Sequence, residues 1–511
     1  MKNTYLIGVD LGTSSTKAAI YKLDGTLIAE ASAEVPLYYP KPGAVEQDND
    51  DFYQTAAQTV HECITHSRID PKEVAAIAFD SQMAGVGSID ENYHPATRFD
   101  SWLDMRCQPY ITELEKNYRE LITRLTGCPP TCDHGPKILW WKEEHPEDYA
   151  RVAKFIMPAG YVAGRMAGLR ADKAFIDYTF IHFSALSDGR NGTWSIELCD
   201  RLGVDQGKLP RIVSPWEIIG EITVESARDF GLVPGIPIAA GAGDTAAGAL
   251  GAGIVRPGMI LDTAGTAAVL AGCTNEFIAD VKHHALLNMR SVIPGLWNPL
   301  AYIAGGGLIQ RWYRDVFFNA IFGEPQSLKS DLYGEMAKLA AKAPPGADGL
   351  LFSPHLGGRI CPAQPIMRGS WSGFSWSHTQ AHFLRALLES VAYEYAYYLR
   401  ILHESIPDLN LIEARVIGGG ARNDLWNQIK ADVLSVPYQR LKRSEFATWG
   451  CALIAGHAVG LFDNLADSAE AGIELHGKAI RPNRRNRGLY KPYIDQYINW
   501  QETLSREFEQ R

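Results

Sequence analysis

Four short turns carry the side chains best suited to chemistry, and each follows an apolar run: DLGTSSTK at 10–17, GAGDTAAG at 241–248, TAGTAA at 263–268 and GGGARN at 418–423. Glycines such as Gly12, Gly265, Gly419 and Gly420 let backbone amides come close to a phosphate, and the hydroxyls of Thr13, Ser14 and Thr266 add donors that bring no charge. Asp10 ends an apolar run beside a Thr/Ser turn, where a carboxylate can hold Mg²⁺, often through water, next to a nucleotide's phosphates; the plainer alternative is an Asx-turn residue. Asp244 stands where a strand gives way to the helix TAAGALGAG. Amides at a helix start favour an ionised side chain, so Asp244 is expected to be a proton acceptor at neutral pH, with a simple N-cap as the alternative.

Two common nucleotide motifs fit these turns poorly. GTSSTK lacks the second glycine that a P-loop places before its lysine, here Lys17. GAGDTA at 241–246 matches G-x-G-x-x-A after a strand, and Asp262 follows about 20 residues later, as in a dinucleotide fingerprint. Asp244 would, however, put a carboxylate where a pyrophosphate must approach, and a dinucleotide reading leaves the other three turns unexplained.

The elements that position these groups are legible in outline. YLIGVDLGTSSTKAAIYKLDGTLIAE reads as strand, small-residue turn, strand, Asp24-Gly25 hairpin and strand, so three antiparallel strands open the fold. Residues 48–67 have helical pattern, and VAAIAFD at 74–80 is a buried strand that ends on the polar loop SQMAG. Residues 110–166 are mostly helical. At 258–273, GMILDTAGTAAVLAGC repeats strand, Thr-containing turn, strand about 250 residues after the first such hairpin, which points to two similar halves. The stripe VAYEYAYYL at 391–399 has helical spacing and suits a core or a subunit interface, so a homodimer is among the expected assemblies.

A chain of 511 residues with 46% hydrophobic and 21% charged residues can bury more than one core. Its net charge of −10 argues against a nucleic-acid surface driven by counterion release, so any anion must be held by local groups. Eight scattered cysteines do not form a disulfide framework and fit a reducing cytoplasm. The apolar run at 5–9 is too short for a signal-peptide core, and no stretch approaches the length of a membrane span. Cys128, Cys132, Asp133 and His134 lack a second pair at zinc-site spacing and read as an ordinary loop. Arg481, Arg484, Arg485 and Arg487 read as a solvated face.

Taken in order, Asp10 to Ser15, Gly243-Asp244, Gly265-Thr266 and Gly418 to Asn423 resemble the FGGY carbohydrate kinases of the actin/hexokinase/Hsp70-like superfamily. Smaller likenesses run beside them: Glu46-Gln47-Asp48, Ser81-Gln82-Met83, Trp102 to Arg106, and Glu445 with Gly450-Cys451-Ala452. The resemblance implies an α/β fold of two ribonuclease-H-like (actin-like ATPase) domains, 1–254 and 255–511, each a mixed five-stranded sheet flanked by helices, around a central cleft for MgATP and a sugar or polyol. By carry-over, Asp10 lies by Mg²⁺, and Gly12, Thr13 and Ser14 by the phosphate tail. Gly265 and Thr266 form a second phosphate loop, and Gly419, Gly420 and Asn423 lie near the adenosine. Asp244 is the general base.

The sugar-side segments depart from the xylulokinase pattern. Ala84 follows Gln82-Met83 where those enzymes usually have His; Leu103 and Met105 replace polar residues between Trp102, Asp104 and Arg106; Thr245 stands where Asn or Gln commonly follows the base. Losing a partner for a buried hydroxyl typically costs about 1–3 kcal/mol, enough to change preference among pentuloses and polyols. D-Xylulose is therefore expected to be a poor substrate. Asp104 and Arg106 are expected to contact acceptor hydroxyls, with a surface ion pair as the plain alternative. A sugar or nucleotide sensor, or an ATPase using water, are the competing functions; a retained base argues against the first and the sugar segments against the second.

Overall fold

A computed structural model of the chain describes residues 4–318 and 332–510. The opening meander is β1 (Tyr5–Leu11), β2 (Ser15–Lys22) and β3 (Leu27–Glu34), followed by α1 (Asn49–Ser67), which Asp48 caps, and β4 (Val74–Ser81). The Asp24-Gly25 hairpin forms as the sequence predicts: Gly25 has φ +84° and Asp24 Oδ1 accepts the Thr26 amide. β1 and β4 are apolar almost throughout because helices cover both faces of the sheet. With β5 (Ile218–Glu221) and β6 (Pro237–Gly243) the strands lie in the order β5-β6-β4-β1-β2-β3. β1, β4 and β6 are mutually parallel, and β5 pairs antiparallel at the edge. Helix α2 (Asp244–Gly251) leaves the end of β6.

The second half repeats this plan. β7 (Met259–Ala264) and β8 (Ala268–Gly272) form the hairpin, β9 (Leu287–Arg290) and β10 (Trp297–Ile303) extend it, and α3 (Gly306–Tyr313) follows. After α4 (Gln380–Ser405) come β11 (Glu413–Ile417), α5 (Asp424–Leu434), β12 (Tyr438–Leu441), α6 (Ala447–Ala458), β13 (Leu475–Ile480) and α7 (Arg484–Glu509). The sheet order is β9-β10-β8-β7-β11-β12-β13. Three antiparallel strands followed by two parallel ones is the shared five-stranded core, β3-β2-β1-β4-β6 in one half and β10-β8-β7-β11-β12 in the other. The sheets have six and seven strands rather than five because antiparallel edge strands, β5 in the first and β9 and β13 in the second, cover the exposed backbone of that core.

α6 belongs to the second half in sequence but packs on the first sheet, against β1, β4 and α2. Two glycines permit the approach: a Cβ on Gly8 would lie 1.8 Å from the Thr448 carbonyl oxygen, and one on Gly450 would lie 2.0 Å from that of Ala247. Residues 108–166 form five helices interrupted by the strand Lys154–Ile156, which joins Glu46–Gln47, Val86–Ile89 and Pro95–Asp100 in a small separate sheet with its own core. Tyr393, Tyr395 and Tyr398 are buried within the chain, so the aromatic stripe is core. All eight cysteines are free thiols. No described helix is long and apolar enough to cross a membrane.

Candidate active site

The three parallel strands β1, β4 and β6 end at one edge, with Asp10 opposite Asp80 and Asp80 opposite Ala242, so the carboxylates of Asp10, Asp80 and Asp244 collect there. In open α/β sheets this carboxyl edge is where ligands bind. Burial raises the pKa of both Asp10 and Asp80, and the neighbouring Asp10 charge raises Asp80 further. Cys451 Sγ, delivered by α6, donates to Asp80 Oδ2 at 3.0 Å.

Gly243 is the N-cap and Asp244 the first residue of α2. Asp244 Oδ1 accepts from the Thr245 amide at 2.5 Å and from Thr245 Oγ1 at 3.1 Å. Its ionisation differs from the sequence expectation: burial, then the Asp10 charge, push its pKa up to about 7 against the lowering by Thr245. Helix amides alone do not keep it at an ordinary carboxylate value because Asp244 is half-buried beside the Asp10 charge. At neutral pH it stands near its midpoint.

The Thr13 turn is knitted to the residues around the expected sugar pocket. Trp102 Nε1 donates to Thr13 Oγ1 at 2.9 Å, Gln47 Nε2 to the Thr13 carbonyl at 2.9 Å, and Gln82 Nε2 to Gln47 Oε1 at 2.7 Å. Met83 lies under Gly243, where a Cβ would come within 2.6 Å of its Cε. Lys17 on β2 pairs with Glu445 at 3.0 Å and so links the two halves beside the phosphate turn.

Asp104 and Arg106 are not a surface pair. Arg106 contacts Glu46 Oε1 at 2.7 Å, Asp100 Oδ1 at 2.7 Å and Asp104 Oδ2 at 2.8 Å, and its guanidinium stacks on Trp140 at 4.4 Å. Asp104 accepts from the Val45 amide as well as from the Arg106 side chain and amide. Trp141 Nε1 donates to Asp100 Oδ2 at 2.5 Å. Leu103 and Met105, between these residues, are exposed.

At the second sheet, a cavity of about 790 Å³ is lined by Gly265, Thr266, Gly307, Gln310, Gly419, Gly420, Arg422 and Asn423 among others. That volume lies in the range of small-molecule and cofactor sites. Gly307 and Leu308 amides donate to the Gly265 and Thr266 carbonyls, so the start of α3 braces the second loop. Asn423 Oδ1 caps α5 by accepting the Trp426 amide at 3.0 Å. The structure thus divides the expected residues into two groups: Asp10, Gly12, Thr13, Ser14, Gln82, Met83, Asp244 and Thr245 at the first sheet's edge, and Gly265, Thr266, Gly419, Gly420 and Asn423 at the second.

A scan of family models matches the FGGY family of carbohydrate kinases, N-terminal domain, over residues 5–251 and its C-terminal domain over 262–459. The chain belongs to the FGGY family of carbohydrate kinases. It is 29% identical over 501 residues to the xylulose kinase of Staphylococcus epidermidis, covering 97% of this chain and 96% of that one. It is 28% identical over 515 residues to the gluconokinase of Bacillus licheniformis, with 99% and 97% covered. The solved xylulose kinase of Rhodospirillum rubrum superposes with a TM-score of 0.89 at 27% identity, covering 99% of this chain and all of that one. The protein is therefore a sugar kinase of the actin-like ATPase fold, for which ATP is a substrate.

Several residues of this kinase's site escaped the sequence reading. Asp80 ends β4 as Asp10 ends β1, and a strand-final carboxylate before SQM was its signal. Gln47 and Trp102 stood inside quoted segments without a role. Gly307 ends and Gln310 follows the glycine run 305–307, a fifth small-residue turn of the kind that marked the others.

Proposed function

We propose that this FGGY kinase transfers the γ-phosphoryl group of MgATP to a hydroxyl of a sugar or polyol, a ketopentose-like acceptor first among them, in the cytoplasm, with Asp244 as general base. The observation that carries the reading is the gathering of Asp10, Asp80 and Asp244 at the edge where the Thr13 turn also ends. Among the described residues no three His, Cys, Asp or Glu side chains converge into an all-protein metal cage. A single pair of hard carboxylate oxygens, Asp10 with Asp80 beside it, suits Mg²⁺, which is commonly held by one or two carboxylates plus substrate phosphates. When bound there, Mg²⁺ supplies charge neutralisation for the phosphates.

The chain's own groups do the rest. Thr13 and Ser14 on one side and the amides and hydroxyl of Gly265 and Thr266 on the other donate to phosphate oxygens, whose charge is spread in the transition state. Asp244 orients the acceptor hydroxyl and takes its proton as the new O–P bond forms and the bond to the leaving ADP oxygen breaks. Gly419, Gly420 and Asn423 hold the adenosine.

Gln82, Met83 and Thr245 line the acceptor pocket in this reading. Asp104 and Arg106 shape it, because their polar atoms already serve Glu46, Asp100 and Val45. The apolar Leu103, Met105 and Ala84 leave fewer partners for hydroxyls, so D-xylulose is a poor acceptor. A coupled ADP-release assay over ketopentoses, hexuloses, aldonates and polyols tests the proposal, with Asp244→Asn as control. Saturation at low D-xylulose with no better acceptor would refute the selectivity. ATP turnover independent of any acceptor, or no turnover at all, would refute the kinase reading of this site.

A further inference from the structure

A buried hydrogen-bond chain ends on the backbone of the residue before Asp244. Thr179 Oγ1 accepts the Gly243 amide at 2.8 Å and donates to Asp177 Oδ1 at 2.6 Å, and the Thr179 amide donates to the same oxygen at 2.8 Å. Thr179 is 0% and Asp177 2% exposed, so these bonds face no competition from water. Gly243 is both the last residue of β6 and the cap of α2. The place of its amide therefore sets where the Asp244 side chain starts.

The residue between them faces the other half. Tyr178 OH donates to the Val292 carbonyl at 2.8 Å, and the Arg290 guanidinium lies 4.9 Å from the centre of the Tyr178 ring. Arg290 ends β9 of the second sheet, and its Nη1 donates to the Gly189 and Arg190 carbonyls of the first half at 3.0 and 2.8 Å. Asp177 ends the short strand Phe175–Asp177 and Tyr178 and Thr179 lie in the turn after it, so these consecutive side chains reach two different bodies at once.

We infer that residues 177–179 form a positioning strap: Thr179, oriented by Asp177, fixes the junction that carries Asp244, and Tyr178 ties that junction to the second half of the molecule. None of the three is a catalytic residue; each acts through Asp244. The inference rests on Asp244 being the base. A reacting group displaced by about 1 Å can lose up to about 10²-fold in rate, so one hydrogen bond at this junction has leverage that its small contribution to stability would not suggest.

The test measures kcat and acceptor KM for Thr179→Val, Thr179→Ser and Tyr178→Phe in the full-length enzyme, using MgATP and whichever acceptor of the panel above is turned over fastest. Thr179→Val keeps the shape and removes both hydrogen bonds; kcat should fall on the order of tenfold with little change in KM, the mark of a loss felt in the transition state. Thr179→Ser should restore most of it, and Tyr178→Phe should lower kcat by a smaller factor. Combined with Asp244→Asn, Thr179→Val should have no further effect, because the group it positions is gone; equal fractional losses in both backgrounds would overturn the inference. If Asp244→Asn turns over too slowly to measure, the comparison of Thr179→Val with Thr179→Ser at equal urea midpoints decides. Wild-type kcat in Thr179→Val overturns the role of Thr179, and wild-type kcat in Tyr178→Phe overturns the link to the second half. Full activity of Asp244→Asn would instead sink the base reading and the strap with it.

Discussion

Arg106 is the place where a structural and a substrate-binding role separate most cleanly, and Arg106→Met is the perturbation that separates them. Methionine keeps an unbranched apolar stem against Trp140 and deletes the guanidinium. Three carboxylates then lose this shared counter-charge: side chains of Asp100 and Asp104 are 2% exposed and that of Glu46 13%. Glu46 keeps the half-exposed Arg98 at 4.0 Å, and Lys137 donates its Nζ to the Asp104 carbonyl at 2.8 Å, but neither bridges the three. Each of the three contacts is gross attraction of several kcal/mol at an effective dielectric of about 20, largely offset by the desolvation of both partners. Removing one side of such a buried pair strands the other, at a typical loss of about 3–5 kcal/mol. The loss of the stacked cation on Trp140 adds about 0.5–2 kcal/mol.

The loss should depend on pH in a defined direction. Burial, outweighing the Arg106 and Lys137 charges, already pushes Asp100 up to about 7 in the intact protein. A carboxyl raised in the folded state contributes stability that is full below its unfolded value near 4 and is lost as pH rises through the folded value. Without Arg106 the folded pKa rises further, so the variant's deficit should be smaller near pH 5.5, where Asp100 is protonated in either protein and its share of the loss is relieved, than near pH 8. Urea unfolding followed by tryptophan fluorescence reads this, with Trp140 and Trp141 packed on the network as local reporters. A variant with an unchanged midpoint at pH 8 and a raised acceptor KM would refute the reasoning and return Arg106 to the acceptor's hydroxyls.

Three further outcomes are expected. Gly450→Ala puts a Cβ 2.0 Å from the Ala247 carbonyl, a backbone neighbour that no side chain can relieve, so α6 must move off α2; overpacking typically costs about 1–3 kcal/mol, and urea unfolding should show at least this much together with a lower kcat. The proposed base Asp244 can act only when ionised, and burial with the Asp10 charge pushes its pKa up to about 7, so kcat/KM for the acceptor should be present above that value and lost as pH falls through it; a flat profile from pH 5.5 to 8 would remove Asp244 from the role. An open cleft would admit water to the phosphoryl group, so small-angle scattering should show compaction when acceptor and a non-hydrolysable MgATP analogue are both present; no change with both bound would count against closure.

How much of this was readable in advance follows from how local each determinant is. The first hairpin, the Asp24-Gly25 turn, the helix after Asp48 and the glycine turns are set by residues within a few positions of one another, and the second half announced itself by repeating the same local pattern. Asp104 and Arg106 were expected at the acceptor's hydroxyls, or else as a surface pair, because the sequence offers no sign that Glu46 from one short strand and Asp100 from another close around the same guanidinium. Dividing the chain at 254/255 places α6 with the second half, whereas its backbone lies on the first sheet through glycines at 8 and 450 that are more than 400 positions apart.

The sequence by itself determined which groups are available: two strand-end aspartates, hydroxyl and glycine turns, and an acidic surplus that leaves anion binding to local donors. Only the tertiary structure decided their state. Placing β4 between β1 and β6 brings Asp80 against Asp10 and both near Asp244, and the burial that comes with that sheet edge raises all three carboxyls, an effect that depends on the desolvation and charge of non-local neighbours and so has no signature in any single stretch of chain.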